Sequence, residues 1–151
     1  MANELRLTVS AVIERDEHYL FVRNRKSGLW SLPSGKLEYK ETPTQALIRE
    51  CRQEIGAYVD VIGLIGIYQF NSMHDNWITD FAHQCRLRGE PRIVRPKEID
   101  KIEWLTLEDI YELKRKRELR SGRVQIDPIE DFLKKGRPEL PSDLIKKPRT
   151  R

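Results

Sequence analysis

The sequence predicts one α/β (α+β) domain, a mixed β-sheet with two or three helices packed against it. Three observations carry this. Strand-length apolar runs recur between turn residues, one well-capped amphipathic helix sits among them, and the chain has 151 residues, enough for one core.

The elements follow in order. Leu5 to Glu14 alternates loosely and is rich in Val, Ile and Thr, which predicts a strand. Asp16-Glu17 supplies a turn, and His18 to Arg25 is a second strand with Leu20, Phe21 and Val22 facing inward. Lys26 to Gly28 breaks it. The short apolar run Leu29 to Leu32 is closed by Pro33, Ser34 and Gly35, which predict a turn. A helix comes next. Thr42 is its N-cap, Pro43 takes the first helical position, Gln45 completes a capping box, and Gly56 stops it. Leu47, Cys51 and Ile55 form its apolar stripe, with Ile48 beside them, while Glu50, Gln53 and Glu54 cluster on the other side.

Tyr58 to Gln69 and Trp77 to Leu87 read as strands around a polar loop, Asn71 to Asn76. Gly89 to Pro91 is a turn, Ile99 to Trp104 a short strand, Leu107 to Arg120 a second helix and Asp127 to Lys134 a third. Residues 1–136 are assigned to the domain, and 137–151 to an extended basic C-terminal tail.

Composition narrows the class. Apolar residues make up 38% and charged residues 34%, so the chain has the apolar content to fold around a core. No apolar stretch reaches the ~18 residues of a membrane helix, and the N-terminus enters a strand pattern without an apolar signal core. Cys51 and Cys85 stand in no CxxC or Cys/His cluster and read as reduced, buried small hydrophobes. The expected compartment is the cytoplasm, with no membrane partner. The net charge of +4 is uneven: from Tyr111 onward 13 Lys/Arg face 7 Asp/Glu, whereas residues 1–110 hold 15 against 17. A solvated helix face explains the basic segment better than nucleic-acid binding, because Glu112 and Glu118 interrupt it and stacking aromatics are lacking.

The chemistry concentrates in residues 35–57, GKLEYKETPTQALIRECRQEIGA. Gly35, Glu41, Arg49, Glu50, Glu54 and Gly56 stand in the register G-x5-E-x7-R-E-U-x-E-E-x-G-U, where U is aliphatic. This resembles the Nudix box, and the approach Leu29 to Pro33 resembles that family too. The physics points the same way. Glu38 and Glu41 on a loop, with Glu50 and Glu54 on one helix face, repel one another unless a cation neutralises them. Oxygen ligands select Mg²⁺ or Mn²⁺, and Gly35 lets the backbone come close, so that the Ser34 carbonyl is a further candidate ligand.

The resemblance implies a Nudix-type mixed sheet sandwiched by helices and a Nudix-type pyrophosphohydrolase acting on acid anhydrides. It implies Glu50 as metal ligand and catalytic residue, Glu54 as second ligand, and Arg49 as an orienting partner of acidic groups such as Glu41. A loop glutamate ahead of the last strand often adds a ligand, and Glu98 is the candidate, with Glu103 weaker. Gln53 stands where the family has glutamate, offering a neutral oxygen and one charge fewer. Lys40 and Ser34 replace common glycines, and the Lys40 ammonium is expected near the metals.

For substrate, Arg23 and Arg25 are candidates to grip phosphates. Tyr68, Phe70 and Trp77 are candidates for stacking on a base or for the core, and His74 and His83 read as non-catalytic. The leading expectation is a divalent-metal-dependent hydrolase of a nucleoside diphosphate derivative or nucleoside triphosphate. The alternatives are a catalytically weakened nucleotide-binding or regulatory module, which Gln53 favours, and an enzyme acting on RNA ends, suggested by Lys114 to Arg123. The resemblance also leaves room for a homodimer through the strand Tyr58 to Gln69.

Overall fold

The structure is a computed structural model that describes residues 4–72 and 74–135. Its elements are β1 (Leu5–Arg15), β2 (His18–Asn24), β3 (Trp30–Ser31), β4 (Ser34–Lys36), α1 (Pro43–Ile55), β5 (Tyr58–Asn71), β6 (Trp77–Arg88) and β7 (Ile99–Thr106). They continue with α2 (Leu107–Arg115), a 3-10 turn (Gly122–Gln125) and α3 (Asp127–Lys135). The expected tail 137–151 lies outside the described residues.

The strands run in the order β3-β2-β1-β6-β5, with β4 also on β1 and β7 also on β2. β1 and β6 are parallel, and the other pairs are antiparallel, so the sheet is mixed. β1 is the hinge of the architecture because its alternate residues serve opposite faces. Val9, Ala11 and Ile13 pack with Leu47, Cys51 and Ile55 of α1, all at most 1% exposed. Val12 faces the other way, into a cluster with Phe21 of β2, Ile110 of α2, Ile129 and Phe132 of α3, and Ile126 just ahead of α3. Helices therefore cover both faces, and each buried Leu, Ile or Phe contributes about 1.5–3 kcal/mol. Cys51 and Cys85 are buried and unpaired.

α1 forms as its termini dictate. The Thr42 hydroxyl accepts from the Gln45 backbone N–H at 3.3 Å, and the Gln45 side chain accepts from the Thr42 N–H at 3.1 Å. Gly56 closes the helix at φ +62°, a region where a Cβ is costly. The backbone N–H of Arg92 then donates to the Ile55 carbonyl at 2.8 Å, tying the loop after β6 to the end of the helix.

Two expected elements differ. Ser34 and Gly35 are extended: they form β4, antiparallel to β1 with Ser34 opposite Ser10 and Gly35 opposite Val9. Pairing with β1 satisfies backbone groups that an open turn would leave to water. The second helix ends at Arg115 instead of Arg120. Residues 114–118 are all charged and give the helix nothing to bury, whereas Leu119 is 5% exposed and pairs beside Trp30. The chain turns at Arg117 (φ 59°) to place it there.

Two glycines test this packing. A Cβ on Gly56 would lie 2.8 Å from the Arg92 backbone oxygen and in a left-handed conformation. Gly56→Ala should cost about 2 kcal/mol and lower Tm by roughly 4–8 °C. A Cβ on Gly35 would meet only the Glu50 side chain, at 2.1 Å from Cδ. Because that carboxylate is the free end of a flexible chain, Gly35→Ala should displace it and change Tm by no more than about 2 °C. Melting curves check both, and equal losses at the two positions would contradict the packing described.

Candidate active site

Helix α1 and strand β4 meet edge-on, and their meeting point gathers the acidic side chains. Glu50 and Glu54 lie one helical turn apart, so their side chains project from the same face. The absent side chain of Gly35 makes room for the Glu50 carboxylate, which lies directly against its Cα. Glu54 reaches under the same segment, where its Oε1 accepts from the Ser34 backbone N–H at 2.8 Å. The β1–β4 pairing fixes the strand, and the burial of Leu47, Cys51 and Ile55 fixes the helix. The two carboxylates thus converge on Ser34 and Gly35.

Their electrostatics are unequal. Loss of water around Glu54 pushes its pKa up to about 8, and the negative Glu50 adds to the rise. The Ser34 N–H and, through space, the Arg120 guanidinium oppose it. A carboxyl held this way is short of positive charge.

Beside this pair stands a second acidic group organised by Arg49. Its Nε donates to Glu41 Oε2 at 2.8 Å and its Nη2 to Glu41 Oε1 at 2.9 Å, a bidentate pair. Nη1 donates to Glu50 Oε1 at 2.6 Å, and Nη2 also reaches the Lys36 carbonyl at 2.9 Å. Glu38 approaches Nη1 at 3.5 Å, and its own backbone N–H donates to Glu41. These contacts raise the Arg49 pKa further above its ordinary range. The guanidinium fastens the 36–41 loop to α1 and sets the direction of Glu50.

Among the remaining site candidates, Glu98 is near enough to act on Glu54 through space and adds to the rise in its pKa. Glu98 is exposed on the loop before β7, 3.8 Å from Arg95, and its backbone carbonyl accepts from the Arg25 N–H. Glu103 lies within β7, opposite Phe21 of β2. Gln53 lies on an outer face of α1 with Arg49, Arg52, Val94 and Arg95. Arg23 is committed to Asp100 through two hydrogen bonds of 2.9 and 2.7 Å, and Arg25 Nε donates to the Pro96 carbonyl. Both arginines therefore brace the 95–100 loop. Lys40 adopts φ 64°, which explains why a glycine suits this position, and its ammonium rests over the Tyr39 ring at 5.5 Å.

Among the described residues, no group of three or more His, Cys, Asp or Glu side chains is arranged to hold a metal ion. The donors gathered against β4 are two carboxylates, Glu50 and Glu54. That set suits a hard cation that keeps water and substrate oxygens as its other ligands, the habit of Mg²⁺.

A cleft of about 400 Å³ opens from the Ser34–Lys36 strand across β1 and β6. Lys36 and Arg120 enter it beside the turn, while Phe70 and Ile78 supply apolar wall. His74 also lines it, Trp77 is 46% exposed, and Tyr68 donates its hydroxyl to Asp131 at 2.7 Å. His83 is fully buried in the sheet. Sequence reasoning missed Lys36, Arg120 and Asp80 of the cleft. Only Asp80 had a signal, as an acid between Ile78 and Ala82 on one face of a strand.

Known proteins share this domain and its fold. A model of the NUDIX domain matches residues 4–125. A MutT-like protein of Streptomyces ambofaciens is 31% identical over 101 residues, which cover 67% of this chain and 63% of that protein. An 8-oxo-dGTP diphosphatase of Proteus vulgaris is 42% identical over 62 residues, 37% of this chain and 55% of its own. The matches thus span less than two thirds of either relative. A NUDIX hydrolase structure from Nitrosomonas europaea superposes with a TM-score of 0.81 at 24% identity, covering 96% of this chain and 98% of that one. A domain model over most of the length, with the same fold in a solved structure, leaves one conclusion: this chain belongs to the Nudix family.

Proposed function

We propose that this protein is a divalent-metal-dependent hydrolase, with Mg²⁺ or Mn²⁺, that cleaves the diphosphate linkage of a nucleoside diphosphate derivative. The observation that carries this reading is the convergence of Glu50 and Glu54 on Ser34 and Gly35 at the mouth of a cleft that Lys36 and Arg120 also enter. Glu50, Glu54 and the Ser34 carbonyl would hold the cation. Once bound, it would screen the phosphate oxygens and acidify a water molecule. Arg120, which acts on Glu54 through space, and Lys36, which lines the same cleft, would supply charge for the diphosphate. Glu50 has one oxygen held by Arg49, and its other oxygen would take the proton of the attacking water. The relative named 8-oxo-dGTP diphosphatase supports a nucleotide substrate.

Two features weigh against the alternatives. Gln53 lines a groove with Arg49, Val94 and Arg95, and the Glu50–Glu54 pair converges on Ser34 and Gly35 without it. That favours turnover over a purely regulatory module. In the basic segment, Arg115 pairs with Glu112, and Arg123 pairs with Asp127 and Glu130. Charges neutralised at home attract RNA less, so a small nucleotide suits the protein better than an RNA end. Two buried free thiols suit a reducing compartment, and the cytoplasm is the location we assign. A homodimer through β5, where Tyr58, Ile62 and Ile67 are exposed, is the assembly that the resemblance suggests.

Product release from ADP-ribose, dinucleoside polyphosphates, nucleoside triphosphates (oxidised and normal) and capped RNA, with and without Mg²⁺, tests the proposal. At least one small nucleotide should be cleaved only with metal, and Glu50→Gln should lower kcat about 100-fold or more. No metal-dependent turnover on any member of the panel would sink it.

A further inference from the structure

The floor of the cleft holds a charged group for which the hydrolase chemistry has no use. Asp80, on β6, is 5% exposed. Its Oδ1 accepts from the Thr8 hydroxyl and its Oδ2 from the Ser10 hydroxyl, each at 2.6 Å. All three residues line the cleft, because alternate residues of the parallel strands β1 and β6 share that face.

Two hydroxyl donors, one on each oxygen, favour the ionised form of the carboxyl. A carboxylate offers roughly four lone-pair positions, and the described hydrogen bonds use two. No Lys or Arg forms an ion pair with Asp80 among the described residues; Arg6, which also lines the cleft, pairs with Glu4 at 3.0 Å. Burying a carboxylate without a cation is expensive, and burial raises the pKa of Asp80 against the pull of the two hydroxyls. A leucine or valine here would serve the fold better. Asp80 therefore serves something that enters the cleft.

Its chemistry restricts the visitor. An anionic acceptor repels phosphate, so the diphosphate belongs away from Asp80, beside Glu54, on which Arg120 acts through space; Lys36 stands between, opposite Thr8 in the β1–β4 pairing. The end of the substrate lying over Asp80 must donate hydrogen bonds. Phe70 and Ile78 flank the site with apolar surface suited to a flat ring. Among bases, guanine alone presents two adjacent N–H donors, at N1 and the exocyclic amine, in the parallel arrangement that a carboxylate accepts bidentately.

We propose that Asp80 is a specificity residue that selects a guanine-type base edge by accepting its paired N–H donors, with Thr8 and Ser10 fixing the direction of the carboxylate. This rests on the reading of the cleft as a nucleotide site, and it is tested apart from hydrolysis.

The test is equilibrium binding of GDP, IDP and ADP in EDTA, where no turnover occurs. IDP keeps N1–H and lacks the amine, so the wild-type protein should bind GDP about tenfold or more tighter than IDP or ADP. Asp80→Asn should abolish that preference and leave ADP binding within about threefold. Ser10→Ala, which frees one carboxylate oxygen from its hydroxyl partner, should reduce the preference without abolishing it. Equal affinities of the wild type for GDP and IDP overturn the proposal even if Asp80→Asn fails to fold. So does a preference that survives Asp80→Asn. Guanine-selective binding by a protein that hydrolyses nothing would uphold this inference and sink the hydrolase.

Discussion

The whole site depends on one constraint: two carboxylates of α1 are pressed against the backbone of one short strand. Glu50 fits because Gly35 has no side chain, and Glu54 is anchored by the Ser34 N–H. Neither contact neutralises the charge. The fold holds the pair together by burying the opposite face of the helix, and the loss of water around Glu54, with the negative Glu50 beside it, appears as its raised pKa. An apolar stripe thus does electrostatic work at a distance, by forcing acids to stay where they repel.

Arg49 shows how the arrangement tolerates this. Its guanidinium joins the loop glutamates to the helix through the bidentate pair with Glu41 and takes one oxygen of Glu50. A lysine could supply the charge but not the planar fork that serves Glu41, Glu50 and the Lys36 carbonyl together. In the proposed reaction Arg49 is a positioning residue, and Glu50 and Glu54 are the groups that would meet the metal.

Much of this was legible in the sequence, for physical reasons that differ by element. Thr42, Pro43, Gln45 and Gly56 each satisfy a local requirement of a helix end, so the bounds of α1 could be read without tertiary knowledge. The mixed sheet followed from β-branched runs between turns. β4 was read as a turn because Pro33, Ser34 and Gly35 look like one locally; only the edge of β1 makes two of them a strand. Arg120 was lost inside a helix that stops earlier, since the pull of Leu119 toward Trp30 is a long-range contact. Arg23 and Arg25 were read as phosphate grips. Their partners, Asp100 and the Pro96 carbonyl, lie more than seventy residues away in the chain. Asp80 carried a signal in its alternation with Ile78 and Ala82, but its meaning required the cleft.

The central claim is that the Glu50–Glu54 pair is a seat awaiting a cation, and proton counting tests it most directly. With a pKa of about 8, Glu54 is mostly protonated at pH 7. A metal ion needs the carboxylate, so binding must expel that proton. Adding Mg²⁺ or Mn²⁺ to the metal-free protein in weak buffer at about pH 7 should release about one proton per chain, and Glu54→Gln should abolish the release. Saturating metal with no proton released, or the same release from Glu54→Gln, would contradict the account.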